Sequence, residues 1–481
     1  MANQTSVIEQ KPLETVTPVG QDIMFVISND TAVANETRVK FIAEVHISTS
    51  PPNVSTATDL VATFKTTPNN AGVGIFNFRS ILENYVSADN MAANNSKYKT
   101  TTTSDVERHP LHIINQYSKS KNIVRYLALQ FKVEFLGADT TQPNNVNIAV
   151  GTAQNSDLYI IENGYIKYTD ELTHGITPNV NDFGFDLFQY KPVPTFPTVN
   201  TFKFLTNAPT TLYANLEDYG TFAFLQTSQT LATNVNHMRL DYYKADGSSL
   251  GNEAIVKDFS TGAFDVWSAE AKKQVLYFGA FPGNLQNSSS TFQALVSAGT
   301  IQGGYYTVIA RNSSNLPVLQ TYTINVTCPD SKGFESIRLC WLNQWGAWDY
   351  YTFTKKSVRS LTTQGTTYNQ LEGSWNESKY RINSYKGGKK AFRVNSTERI
   401  SMNTDFVSAD FNITFEELIN SPEVYMLDGY QTDSVGSALN QYVTPVRLTT
   451  SSFTKKTIAN DKLIQYTFEV EKSKTLRTQA V

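Results

Sequence analysis

In residues 38–47, Arg-Val-Lys-Phe-Ile-Ala-Glu-Val-His-Ile, the apolar residues Val39, Phe41, Ala43, Val45 and Ile47 fall at every second position. A period of two matches the pleat of a β-strand, so one face of this segment must be covered by other parts of the chain. The pattern returns in residues 123–135, where Leu127, Leu129, Phe131, Val133 and Phe135 share a face. Shorter β-branched and aromatic runs occupy 22–28, 61–64, 74–78, 202–205, 221–225, 238–243, 275–278, 304–310 and 321–326. With 28 Phe and 25 Tyr, the chain is too aromatic to be disordered. These runs predict an all-β, multidomain β-sandwich protein with immunoglobulin-like domain(s) and a few short helices. The helices are expected at 79–86, 269–273, 291–298 and 411–420.

At 481 residues the chain exceeds what one hydrophobic core serves. Residues 1–20, containing Pro12 and Pro18, read as an extended N-terminal arm. Residues 21–198 read as an N-terminal β-sandwich domain, ending at Pro192, Pro194 and Pro197, since proline cannot donate to a central ladder. Residues 199–330 read as an immunoglobulin-like β domain with Trp267 as its candidate core tryptophan. Residues 331–481, after the linker 328–333, read as a C-terminal β-sandwich domain. Within the first domain, 158–168 reads as a hairpin with Asn163-Gly164 in a type I′ turn. In the last, 337–353 reads as two strands around a turn near Gly346. Further strands there are expected at 390–394, 423–427, 443–448 and 463–470.

The net charge is −3 and the pI near 6.0, so no global basic field draws nucleic acid or a membrane, and neither is expected as a partner. The local cluster Lys386, Lys389, Lys390 and Arg393 reads as a solvated strand edge, where lysines discourage unwanted pairing. Two cysteines, Cys328 and Cys340, are too few for a disulfide framework and suggest a reduced, cytoplasmic origin. The N-terminus MANQTSVIEQ has no basic and apolar signal pattern, and no 18-residue apolar run suggests a membrane span.

Chemistry is sparse. The sequence holds no phosphate loop, HExxH, paired CxxC or GxSxG elbow. His109-Pro-Leu-His112 has a metal-like spacing, but Pro110 breaks the helix such a pair would need. Glu416 and Glu417 are adjacent on an expected helix, point apart, and read as a solvated face. No catalytic, cofactor-binding or metal-binding residue is assigned, and no cofactor is expected. Trp341, Trp345 and Trp348, with Trp375 nearby, could stack on a sugar. On a strand, however, Trp341 and Leu339 share a face, which favours packing in a core or interface.

The segment Arg338-Leu-Cys-Trp-Leu-Asn-Gln-Trp-Gly-Ala-Trp-Asp-Tyr-Tyr-Thr-Phe353 resembles a Leu-x-x-Leu-Asn-x-x-Gly-x-x-Asp-x-x-x-Phe signature of structural proteins of crAss-like and related podoviruses. Similar blocks are Met402–Phe406 followed by Glu416–Tyr425, Val443–Leu448 through Gln465–Val470, and Phe41–Val45 with Gly74–Tyr85. The resemblance touches both ends and is weak in the middle third. It departs from the pattern in having Trp345 and Ala347 beside Gly346. It implies a non-enzymatic virion protein of a collar, neck or tail ring between portal and tail. Such a protein would be assembled in the host bacterial cytoplasm from about 12 or 6 copies of itself, against other neck and tail proteins. The alternative is a receptor-binding or fibre-attached tail adhesin that recognises a host surface glycan. A depolymerase ranks third, because it would need a carboxylate-rich cleft on a longer repetitive scaffold.

Overall fold

The computed structural model describes residues 5–88, 117–120, 122–136, 148–167, 184, 187–190, 202–226, 235–256, 274–327, 333–374, 376–427, 443–455 and 464–479. Strands take 47% of the protein and helices 12%, with several sheets, so the all-β, multidomain β-sandwich expectation holds. The chain forms two compact units. Unit 1 comprises residues 1–327, 342–349 and 432–436, and unit 2 comprises 328–341, 350–431 and 437–481.

Unit 1 opens with β1 (Val7–Gln10), β2 (Val16–Pro18), β3 (Met24–Ser28), β4 (Thr37–Ser48), β5 (Leu60–Thr66) and β6 (Val73–Asn77). It continues with β7 (Tyr117–Lys119), β8 (Val124–Leu136), β9 (Ile148–Val150), β10 (Gln154–Asn155) and β11 (Tyr159–Glu162). One sheet runs β1-β3-β6 and another runs β2-β11-β8-β4-β5, with β9 and β10 also on β8. The alternation in 38–47 has its physical counterpart here. Phe41, Ala43 and Val45 lie opposite Val133, Phe131 and Leu129 and bury one face of the large sheet against Phe25, Ile27, Phe76 and Phe78. Phe25 meets Phe78 and Tyr159 edge-on at 5.8 and 5.6 Å, a geometry that adds quadrupole attraction to area burial. Residues 5–20 are extended but packed: β1 pairs antiparallel with β3, β2 pairs parallel with β11, and Val16 and Val19 are buried.

The expected hairpin at Asn163-Gly164 does not form. β11 pairs with β8 and β2, and residues 163–167 leave the sheet. Tertiary partners outcompete the turn: the Gly20 N–H donates to the Gly164 carbonyl at 2.7 Å, and the Tyr165 N–H to the Gln344 carbonyl at 2.7 Å.

The rest of unit 1 holds β12 (Thr211–Ala214), β13 (Thr221–Gln226), β14 (His237–Tyr243), β15 (Ser249–Val256), β16 (Gln274–Gly279), β17 (Tyr305–Arg311) and β18 (Tyr322–Val326). They form two sheets, β12-β18-β17-β14-β15 and β13-β16-β7. The first reproduces the G-F-C-C′ order of an immunoglobulin-like sandwich, with β12 parallel to β18 at its edge, and β13 with β16 stands for the B–E pair. The place beside β16, where a D strand would lie, is taken by β7, whose Lys119 pairs with Leu276, 157 residues later in the chain. The Tyr117 hydroxyl fixes this graft: it donates to the Ile255 carbonyl at 2.7 Å and accepts from the Met238 N–H at 2.9 Å. Strands from both sides of Pro192–Pro197 therefore share one sheet. Trp267 and the expected helix at 269–273 lie outside the described residues, and the expected strand at 202–205 does not form: these residues run irregularly beside β13, with the Leu205 N–H donating to the Ala223 carbonyl at 2.8 Å. The described core is held by Phe204, Phe222, Tyr242, Tyr306 and Tyr322, and short helices at 282–288 and 290–297 link β16 to β17.

The strands of unit 2 and its junction are β19 (Ile337–Leu342), β20 (Trp348–Phe353), β21 (Val358–Gln370), β22 (Gly388–Asn403), β23 (Val424–Leu427), β24 (Val443–Leu448) and β25 (Thr467–Lys472). They form one sheet, ordered β20-β19-β23-β24-β25-β22-β21. Helix 411–420 matches its expected bounds and covers the sheet, where the sequence suggested a second layer of strands. Phe415 packs against Tyr351 at 5.1 Å and Phe468 at 5.3 Å.

Candidate functional site

Two features of the 337–403 region could serve function: the tryptophan turn and the ribbon that follows it. The turn comes first in the chain. Asn343 builds it with one side chain. Its Oδ1 accepts from the Trp345 and Ala347 N–H groups, each at 3.0 Å, and its Nδ2 donates to the Leu205 carbonyl at 3.0 Å. Gly346 follows at φ +68°, the left-handed region that a Cβ disfavours. The Trp345 ring lies 4.3 Å from Tyr190, in a core cluster with Ile123, Ile160 and Ala347. Thr206 donates to the buried Asp349 at 2.6 Å. Trp341, Trp345 and Trp348 are all at most 2% exposed, so they fill cores and present no ring face to a sugar. Trp375 lies outside the described residues.

The ribbon is β21 and β22. β22 pairs with β25 only over Arg399–Asn403. Residues 388–398 are paired with β21 alone, apart from one bridge between Ser396 and Leu476. At about 3.4 Å per residue that leaves roughly 35 Å of two-stranded ribbon. Both faces of its outer part are solvent-exposed, and the outer edge of β21 has no partner strand among the described residues. Its base is clamped by ions. The Arg359 guanidinium holds Glu335 bidentately and reaches Glu398 at 2.6 Å, while Lys472 meets Glu398 at 2.9 Å and Arg399 meets Glu471 at 2.9 Å. Hydrogen bonds from Arg359 and Lys472 hold the Glu335 and Glu398 carboxyls below the ordinary range. Toward the tip, Tyr368 meets Phe392 edge-on at 6.4 Å, the Lys390 ammonium donates to the Tyr385 carbonyl at 2.8 Å, and Gly387 and Gly388 turn the chain at positive φ. Ile382 is 75% exposed and Tyr385 73%. Lys386, Lys389, Lys390 and Arg393 stand on this ribbon.

The ionisable residues singled out in the sequence do not come together. His109 and His112 lie outside the described residues. Glu416 pairs with Lys455 at 2.7 Å, but Glu417 is 6% exposed, so the solvated face expected for both holds for Glu416 alone. The helix turns Glu417 inward beside Phe411, Phe415 and Leu418, which are buried on the same side. Sequence reasoning passed over two other groups. His46, on the polar face of β4, is buried with neither ring nitrogen hydrogen-bonded among the described residues, and burial keeps its pKa below the ordinary value. Glu162 is fully buried at the end of β11 with neither carboxylate oxygen hydrogen-bonded among the described residues, and burial pushes its pKa up to about 8. Alternation could have flagged it: Ile160 and Glu162 share a face of a strand buried on both sides. Among the described residues, no group of three or more His, Cys, Asp or Glu is placed to hold a metal ion. No described helix is long and apolar enough to cross a membrane.

No family model and no curated protein matches the chain. Among solved structures it is similar to the native conformation of E. coli alpha-2-macroglobulin, with 7% identity and a TM-score of 0.16. The match covers 82% of this chain and 22% of that one, and a likeness at that level carries no functional argument.

Proposed function

We propose that this chain is a non-enzymatic structural protein of a bacteriophage particle, held in a collar, neck or tail ring by copies of itself and other virion proteins. The observation that carries the reading is the β21–β22 ribbon. A two-stranded ribbon is marginal in water without a third layer, and this one displays Leu361, Leu371, Ile382, Tyr385 and Val394 to solvent. Such an element is suited to being covered in an assembly. The segments that resemble the podovirus proteins support the reading in a second way. They fall on framework elements, β4, β6, β19, β20, β23, β24 and β25, where packing dictates the residues.

Exposure of Tyr380 and Tyr385 keeps an adhesin as the second reading, since aromatic faces near a projecting tip can stack on a sugar. The experiment is quantitative mass spectrometry of purified particles, with copies counted against the portal protein. The ring reading expects a fixed multiple of about 6 copies per particle. A sparse, variable count, together with glycan-array binding lost in Tyr385→Ser, would favour the adhesin.

A further inference from the structure

Residues 358–403 carry eight Lys and Arg against three Asp and Glu, a net +5. Because the whole chain is −3, everything outside the ribbon carries −8. The global charge hides this division, which is why composition alone gave no hint of a charged docking element. The positive residues are not scattered: Lys379, Arg381, Lys386, Lys389, Lys390 and Arg393 all lie beyond the ion clamp at the base. The clamp itself consumes Arg359 and Arg399.

We infer that the ribbon is an arm that lies on the body of a second copy of this chain, in a head-to-tail contact. The inference rests on the assembly reading above and names its partner. Charge selects the mode. Two arms repel each other, whereas an arm and a body attract, so a symmetric arm-to-arm dimer is disfavoured and a repeating arm-to-body contact is favoured. Such a contact closes into a ring when its rotation allows. The reach and area also suit it. The 13 residues of β21 and the 11 of β22 that precede its pairing with β25 match the roughly 20–30 residues per side of a standard interface. The exposed rings of Tyr380, Tyr385 and Phe392 could stack on a base or pack on a protein alike, but Leu361, Ile382 and Val394 are aliphatic, with no planar face, and fit a protein surface better than a nucleic acid. Against such a surface they supply apolar contact while the lysines steer the approach. The edge of β21 that no strand pairs among the described residues offers backbone groups for strand addition.

The test is sedimentation velocity of the full-length chain across a concentration series, at low salt and at about 0.5 M salt, where exposed charges are screened. Two variants are compared with the parent: Lys389→Glu/Lys390→Glu/Arg393→Glu, which reverses the charge, and Ile382→Ser/Tyr385→Ser, which keeps it. None of these side chains lies in a core, and thermal melting checks that each variant stays folded. The expected result is self-association of the parent that weakens with salt, and a loss of at least tenfold in apparent affinity in each variant at unchanged melting. Parent and variants that associate equally would overturn the arm while leaving a ring built by other surfaces in place. A parent that stays monomeric at every concentration would also overturn the arm, and the copy count on particles would then judge the ring separately. Equal association, combined with binding of a single-stranded oligonucleotide that only the charge reversal abolishes, would overturn it in favour of a nucleic-acid site.

Discussion

Gly346 sits so close to the Asn163 carbonyl that a Cβ on it would lie 2.4 Å from that oxygen. Its φ of +68° would strain any L side chain even in open space. The two constraints act together, because the oxygen is backbone and cannot rotate away. Gly346→Ala is expected to cost about 3 kcal/mol or more, measured by urea unfolding. A variant as stable as the parent would show that the turn relaxes in a way the packing does not suggest.

Asn343 is the companion case. Replacing it with Ala strands two buried N–H groups and the Leu205 carbonyl without adding volume. A loss of roughly 3 kcal/mol is expected, since each buried polar group left unpaired costs about 1–3 kcal/mol. Asn343→Asp keeps the acceptor but loses the donor to Leu205, so it should also destabilise.

The three buried tryptophans give a direct contrast with sugar binding. Truncating Trp341, Trp345 or Trp348 to Ala should each cost about 3–5 kcal/mol. If such variants melt like the parent while a glycan affinity disappears, those rings serve a ligand and the packing account fails.

These residues also show what the sequence made legible. The alternation in 38–47 and 123–135 located β4 and β8, because each strand has one face against a core and the other against charge pairs such as Lys132 with Glu44. Helix 411–420 was equally plain from its apolar stripe. The long strand β21 escaped notice for the opposite reason. Val358–Gln370 is Thr-rich and exposed on both faces, so burial imposes no period on it. The Asn163-Gly164 turn misled, because the local preference for a hairpin lost to pairing with segments far away in sequence. The grafting of β7 beside β16 left no local trace, since three residues cannot announce which sheet they join.

Glu162 makes stability depend on pH. Its folded pKa, about 8, lies above the ordinary 4.5 of the unfolded chain. Between those values the unfolded chain gives up a proton that the folded chain keeps, so this group's contribution falls as pH rises through the window. The limiting slope is about 1.4 kcal/mol per pH unit. Glu162→Gln removes the titration, and the variant should gain on the parent from about pH 4.5 to 8 in urea unfolding. A parent–variant difference that does not change with pH would show that the carboxyl is hydrated or paired.

Cys340 is buried, and burial raises its thiol pKa far above the ordinary value, so little thiolate exists to react. In a Cys328→Ser background, iodoacetamide should label Cys340 only after unfolding. Rapid labelling of the native protein would mean that β19 opens against β23.

The central claim is that this chain works as a repeating member of a cyclic assembly, and electron cryo-microscopy of the intact particle tests it most directly. The account predicts copies arranged around the particle axis, each with residues 371–387 seated on the body of its neighbour. Isolated copies attached as sparse decorations, with the ribbon touching nothing, would contradict it.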